Sequence, residues 1–174
     1  MKKLLLAGSV ILTSGNALAK NINIATNPLS LLSNELTGSV DYAINPYTAL
    51  GAEAGYIFNS PGSALSGYKT SGFELGVRAS FHQNHFDGDG FYGLVGMAYG
   101  TLSIKNDSND LARISAVAPR IIGGYQWAWD EGLNMKLGAG LRHIMFSESK
   151  IFDNELSIPN TTTVSVELQI GYLI

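Results

Sequence analysis

The sequence predicts an all-β fold: an eight-stranded antiparallel up-and-down β-barrel that crosses a membrane. Three observations carry this prediction. Apolar and polar residues alternate with period two along most of the chain. Charges of both signs fall in mid-strand positions on one parity only. Glycine shares that parity, although glycine weakens a strand that merely faces water.

The length of 174 residues suits one domain. Its first part reads as a leader. Met1-Lys2-Lys3 precedes the apolar run LLLAGSVIL, and Ala17-Leu18-Ala19 places small residues two apart, so residues 1–19 form a secretory signal peptide. That apolar run is shorter than the ~20 residues a membrane helix needs. Residues 20–174 then make up the barrel domain. Without Lys2 and Lys3 the chain holds nine basic and fourteen acidic residues, a net charge of −5, which argues against nucleic acid as a partner. Cysteine is absent, in keeping with export to an oxidising compartment. Hydrophobic residues make up 45% of the chain and charged residues 14%, so the chain is oily without a helix-length oily segment.

Turn signals divide the exported chain into eight strands. The first, 21–28, sets Ile22 and Ile24 against Asn21, Asn23 and Ala25, and Pro28 fits only near its end. In 35–44, Leu36, Val40, Tyr42 and Ile44 oppose Thr37, Ser39, Asp41 and Ala43. In 47–58, Leu50, Ala52, Ala54, Tyr56 and Phe58 oppose Gly51, Glu53 and Gly55. In 71–82, Phe73, Leu75, Val77, Ala79 and Phe81 oppose Glu74, Gly76, Arg78, Ser80 and His82. Strand 91–104 is apolar on both faces, which leaves its register open. In 113–128, Val117, Ile121, Tyr125 and Trp127 oppose Arg120, Gly124 and Gln126. In 133–146, Leu133, Met135, Leu137, Ala139 and Leu141 oppose Asn134, Lys136, Gly138, Gly140 and Arg142. The last strand, 163–173, sets Val164, Val166, Leu168, Ile170 and Tyr172 against Ser165, Glu167, Gln169 and Gly171.

The connections alternate in style. Asn45-Pro46, 83–90 and 130–132 belong to one rim; 29–34, 59–70, 105–112 and 147–162 belong to the other. Such asymmetry marks transmembrane barrels, with short periplasmic turns and longer outer loops. QNHFDGDG (83–90) is long for the short-turn rim. Aromatic residues gather at both rims: Tyr42, Tyr47, Phe81, Trp127, Trp129 and Tyr172 at one, Tyr56, Phe58, Phe73 and Phe146 at the other.

The polar faces carry the acids Asp41, Glu53, Glu74 and Glu167 and the bases Arg78, Arg120, Lys136 and Arg142. Inside a barrel a charge must find a partner or water, so this balance predicts an interior salt-bridge network. Gly51, Gly55, Gly76, Gly124, Gly138, Gly140 and Gly171 would make room for it. Eight strands enclose an interior just wide enough for side chains to fill, which argues against a wide pore.

The exported chain resembles the small eight-stranded outer-membrane barrels of the OmpX and OmpA-transmembrane class. NINIATNPLSLL followed by GSVDYAINPYTALGAEAGYIF is similar to an uncharacterised family of bacterial outer-membrane barrels. Val166, Leu168, Ile170, Tyr172 and Ile174 resemble the C-terminal signal by which assembly machinery recognises such proteins, although that signal usually ends on an aromatic residue. The resemblance implies the outer membrane of a Gram-negative bacterium. It implies lipid and lipopolysaccharide around the barrel, and the assembly machinery as a partner during insertion. No OmpA-like peptidoglycan-binding domain is expected after the barrel.

Two enzymatic chemistries known on small barrels were compared with the sequence. His143 and Ser147 are four residues apart, which on a strand is about 13 Å at ~3.3 Å per residue, beyond the ~3 Å reach of a base to its nucleophile. His143 is expected near the outer interface, with Ser147 opening a loop. The palmitoyl-transferring barrels carry histidine in outer loops, and the expected outer loops here have none. His82, His85, Asp87 and Asp89 are of metal-ligand type, but Asp, Asn and Gly also form turns, and a solvated turn is the expectation. No cofactor, metal or catalytic residue is expected. The function expected is a non-enzymatic barrel with a plugged polar interior, serving envelope integrity, surface interaction or slow solute passage. Loop 147–162, the longest, is the expected contact for a surface partner. The alternatives are a lipid A-modifying, deacylase-like barrel enzyme and a soluble periplasmic lipid carrier with its faces inverted.

Overall fold

A computed structural model describes residues 20–58, 68–106, 109–151, 154–155 and 158–174. The expected signal peptide and much of loop 59–70 lie outside the described residues. The strands are β1 (Ile22–Thr26), β2 (Glu35–Asn45), β3 (Thr48–Ile57), β4 (Tyr68–His82), β5 (Gly90–Asn106), β6 (Asn109–Ala128), β7 (Leu133–Ile151), the two-residue β8 (Asn154–Glu155) and β9 (Thr161–Leu173). Each long strand pairs antiparallel with its neighbour, β6 pairs with β7, and β1 pairs with β9. The result is a closed barrel of eight strands, with β8 a short addition on the end of β7. No helix is long and apolar enough to cross a membrane among the described residues, which says nothing of crossing by strands.

The register gives the tilt. One row of partners runs Ile22, Tyr42, Leu50, Ala79, Val95, Ile121, Leu141 and Val164. It returns to β9 ten residues short of Ile174, which bonds Ile22 directly (3.1 and 2.8 Å). Such a stagger tilts the strands by about 35–45° to the axis.

Side-chain sidedness follows parity. Leu36, Val40, Tyr42, Leu50, Leu75, Val77, Phe81, Ile121, Leu137 and Val166 are exposed on the outer surface, while Asn23, Asp41, Arg78, Gln126, Asn134, Lys136 and Glu167 are buried. The arrangement inverts that of a water-soluble domain. β5, whose register parity left open, turns Tyr92, Leu94 and Ala98 inward and Phe91, Val95, Met97 and Tyr99 outward. Tyr92 and Leu94 join Ile122 in a small apolar cluster inside the barrel, so the interior is not uniformly polar.

Local chemistry accounts for the irregularities. After β1 the chain makes a 3-10 helix, η1 (Pro28–Ser33), where a plain connection was expected. Asn27 caps it by accepting from Leu29 N, Pro28 stands in its first turn, and Asn34 ends it in the left-handed conformation (φ 55°). Gly132 takes φ 101° in the tight turn between β6 and β7, a conformation that favours glycine. Pro119 has no N–H to give, and the β6–β7 ladder omits Ala118 and Pro119.

Three expected connections shrink. Residues 68–70 belong to β4, and most of 105–112 extends β5 and β6. The first five residues of 147–162 extend β7 to Ile151. Ser147 therefore lies within a strand and does not open a loop. Long antiparallel ladders continue where backbone pairing can, and turn-type residues alone do not halt them.

Candidate functional site: the charged interior of the barrel

Several rows of the sheet supply the interior charges. One runs Asn23, Asp41, Gly51, Arg78, Gly96, Arg120 and Arg142. Glycine separates the charged members until Arg120, which stands directly opposite Arg142. The spacing is steric. A Cβ on Gly51 would strike the Asp41 carboxylate, and one on Gly96 would lie 3.3 Å from Arg78 Cβ. A second row sets Glu53 beside Gly76, where a Cβ would come within 2.8 Å of the Glu53 carboxylate. Gly138 lies between Gly124 and Glu167 and leaves room for the Tyr92 hydroxyl. At Gly124 and Gly140 the missing Cβ spares backbone first, that of Leu137 and Gly138 for the one and of Ile121 and Ile122 for the other.

Arg78 grips Asp41 with a two-pronged contact, Nε to Oδ1 at 2.7 Å and Nη2 to Oδ2 at 2.6 Å, and both side chains are 2% exposed. Arg78 also donates to Ser39 Oγ (2.9 Å) and Gln169 Oε1 (3.3 Å) and lies 3.7 Å from Glu53. Lys136 Nζ is 3.9 Å from Asp41 Oδ2 and sits over the rings of Phe86 and Tyr92, 5.4 and 5.6 Å from their centroids. Glu167 accepts from the Tyr92 hydroxyl (2.9 Å) and from Gln169 Nε2 (3.4 Å). Nearer the long-loop rim, Arg120 pairs with Glu53 and Arg142 with Glu74. Each of the facing arginines thus has its own carboxylate, which offsets their mutual repulsion.

All eight charged residues expected inside are therefore in the interior, but they do not form one network of equal links. Asp41, Arg78 and Lys136 form a buried cluster. Glu53 with Arg120, and Glu74 with Arg142, line a cavity of about 170 Å³ toward the long-loop rim. Glu167 is held by a tyrosine and an amide. Sequence reasoning left Glu35, Tyr92, Asn23, Asn134, Gln126 and Gln169 out of the interior network. Parity already marked most of them; Tyr92 was hidden because β5 is apolar on both faces.

The expected assembly residues all lie on β9 or its end. Val166, Ile170 and Tyr172 are exposed outward, Leu168 donates weakly to Asn27 Oδ1 (3.4 Å), and Ile174 bonds Ile22 in both directions.

The segment 83–89 is a turn exposed to solvent over most of its length, with one residue, Phe86, folded inward. Phe86 is 2% exposed and lies across the short-turn end of the barrel, packed with Ala49 and Leu173. Its N–H donates to Pro46 O (2.7 Å), and Gln126 Nε2 donates to the carbonyls of Phe86 (2.7 Å) and Gly88 (2.9 Å). The length that looked excessive lets Phe86 reach inward. The metal-type residues part company. His82 is buried against Phe86 and contacts Ser80 Oγ (3.1 Å). His85 meets the ring of Tyr47, and Asp89 accepts from Ala128 N (2.6 Å). No group of three or more metal-type residues comes together among the described residues. His143 Nδ1 contacts Thr162 Oγ1 (2.8 Å), while Ser147 Oγ donates to Ser115 O (3.2 Å). The two do not meet.

A solved structure resembles this one over most of its length. The N-terminal β-barrel domain of OprF from Pseudomonas aeruginosa superposes with a TM-score of 0.58 at 13% identity, covering 88% of this chain and 96% of that one. The chain has the fold of an eight-stranded outer-membrane barrel domain. No protein-family model matches the chain, and no curated protein matches it. At 13% identity the likeness to the OprF barrel speaks for the fold alone.

Proposed function

We propose that this protein is a non-enzymatic, integral outer-membrane β-barrel of a Gram-negative bacterium, with an interior closed by its own side chains. The observation that carries the reading is the inversion of faces: apolar side chains exposed all round the outside, ionised groups buried within. In water the outer surface would be one apolar patch far larger than soluble monomers expose. In a bilayer it is the surface that lipid requires. The aromatic residues support the same placement. Tyr42, Tyr47, Phe81, Phe91, Trp129 and Tyr172 are exposed toward the short-turn rim, and Tyr56, Phe58, Phe73 and Tyr99 toward the other.

The role we infer is passive: envelope integrity, or contact with surface partners through the rim that carries β7 and β8. Lipopolysaccharide and lipid would surround the barrel, and the assembly machinery would read β9. The paired interior charges and Phe86 support a closed lumen. The separation of His143 from Ser147 supports a non-enzymatic reading over a lipid A deacylase.

Gel mobility in SDS with and without boiling tests the proposal on detergent-extracted membranes. Faster migration of the unboiled sample is expected, because a closed barrel resists SDS. Extraction into aqueous buffer without detergent would overturn it. Unchanged acyl composition of lipid A in cells lacking the protein is the matching expectation for the absence of catalysis.

A further inference from the structure

The barrel wall is incomplete at one seam. β1 stops at Thr26, opposite Gly38 of β2 and Ile170 of β9. Beyond that level β2 runs from Glu35 and β9 from Thr161, with no strand between them. η1 lies in the space and touches both. The two sides of the seam are finished differently. On β2, Thr26 Oγ1 donates to Thr37 O (2.7 Å) and Ser30 Oγ donates to Glu35 O (2.8 Å). On β9, Ile174 bonds Ile22, so alternate residues back along the strand direct their backbone groups the same way. Leu168 N meets Asn27 Oδ1. Val166 and Val164 come next, and their N–H and C=O groups find no partner across the seam among the described residues.

The position makes this consequential. Val164 is ten residues along β9 from Ile174, about 25 Å along the axis at ~3.3 Å per residue and ~40° of tilt. The seam therefore opens in the half of the apolar band farther from the chain ends, where unpaired backbone groups are costly. The interior cavity borders it. The cavity lining includes Glu35, Glu53 and Glu74 inside, Leu29, Ser30 and Ser33 of η1, and Gly38 and Val166 on the two sides of the seam. Gly38 offers no side chain to block the way, and a Cβ there would meet only Ala25 O, at 3.8 Å. Glu53 and Glu74 have arginine partners. Glu35 and Glu167 have no ion pair among the described residues, so the four carboxylates of the cavity outnumber its three arginines, Arg78, Arg120 and Arg142.

We propose that the seam between β2 and β9 is a lateral binding site for one amphiphile with a protonated amine head group. The head sits in the cavity against Glu35 and bonds the free backbone of Val166. The chain lies outside on Val164, Val166 and Leu36, which are all exposed. Charge chooses the head, and the wall opening chooses an amphiphile over a water-soluble amine. The inference rests on the membrane reading given above.

The test is equilibrium binding to the full chain folded in dodecyl maltoside micelles, with dodecylamine as probe and dodecanol, dodecyl sulfate and propylamine as comparisons. Saturable one-to-one binding of dodecylamine is expected, at least tenfold tighter than any of the other three. Glu35→Gln and Gly38→Phe should each weaken it about tenfold. Binding unchanged in both variants, or equal binding of dodecanol or dodecyl sulfate, overturns the proposal. Equal binding of propylamine does so too, by showing access from water. Unboiled gel migration of the same samples keeps the two readings apart. A folded barrel that ignores dodecylamine sinks only this inference, whereas a chain that stays in solution without detergent sinks the membrane reading beneath it.

Discussion

Arg78 and Asp41 illustrate how far a single residue could be read from the sequence. Their mid-strand parity marked both as inward, yet nothing in one strand tells which acid a base will reach. That is decided by the stagger of the sheet, which sets Arg78 and Asp41 either side of Gly51 in one row. Burial then ranks the pairs. Removing one partner of a buried pair strands the other charge and costs about 3–5 kcal/mol; partly exposed pairs cost less. Arg78→Leu is therefore expected to lower the urea midpoint most, then Arg120→Leu, then Glu74→Leu, whose pair is the most exposed of the three. Equal midpoints in all three would contradict the ranking. Glycine offers a second comparison. Gly138→Ala places a methyl against the Tyr92 hydroxyl and Ile122 and should destabilise by about 1–3 kcal/mol. Gly123→Ala, on the outward parity with nothing within 4 Å, should be close to neutral. The same denaturation series checks both.

At the scale of elements, seven of the eight strands were legible from period-two alternation, and β5 was legible as a strand without a register. Its inner face carries Tyr92 and Leu94 because they pack with Ile122, and a tertiary cluster of that kind leaves no mark on one strand's pattern. In the exposed turn 83–89, the burial of Phe86 was hidden for a related reason. Asp, Gly and Asn signal a turn truthfully, but the inward placement of Phe86 depends on Gln126 and Pro46, distant in sequence. Phe86→Ala should cost about 3–5 kcal/mol of stability if the space stays empty. It should also raise single-channel conductance in planar bilayers, since the ring covers the short-turn end. Conductance equal to that of the wild type would show that the barrier lies among the interior charges instead. The extension of β5, β6 and β7 beyond their expected ends reflects pairing energy, which propensity along one strand does not report.

For the whole molecule, the fold and the direction of its faces follow from one property: parity separates charge from oil, with most strand glycines on the charged side. What parity could not show is the break in the wall beyond Thr26. Seeing it requires the lengths of three strands to be compared in register, and the alternation of 21–28 gave no sign that pairing would end at Thr26. The central claim is that the outer face meets lipid and the inner face does not. The chain has no cysteine, so single-cysteine variants can be spin-labelled without background. A scan of β4 from Phe73 to Phe81 in reconstituted vesicles, reading collision with oxygen against a water-soluble nickel complex, tests that claim directly. High oxygen and low nickel access at Phe73, Leu75, Val77, Ala79 and Phe81, with both reagents shielded at Glu74, Gly76, Arg78 and Ser80, is the predicted result. Nickel access at the odd positions would contradict the account.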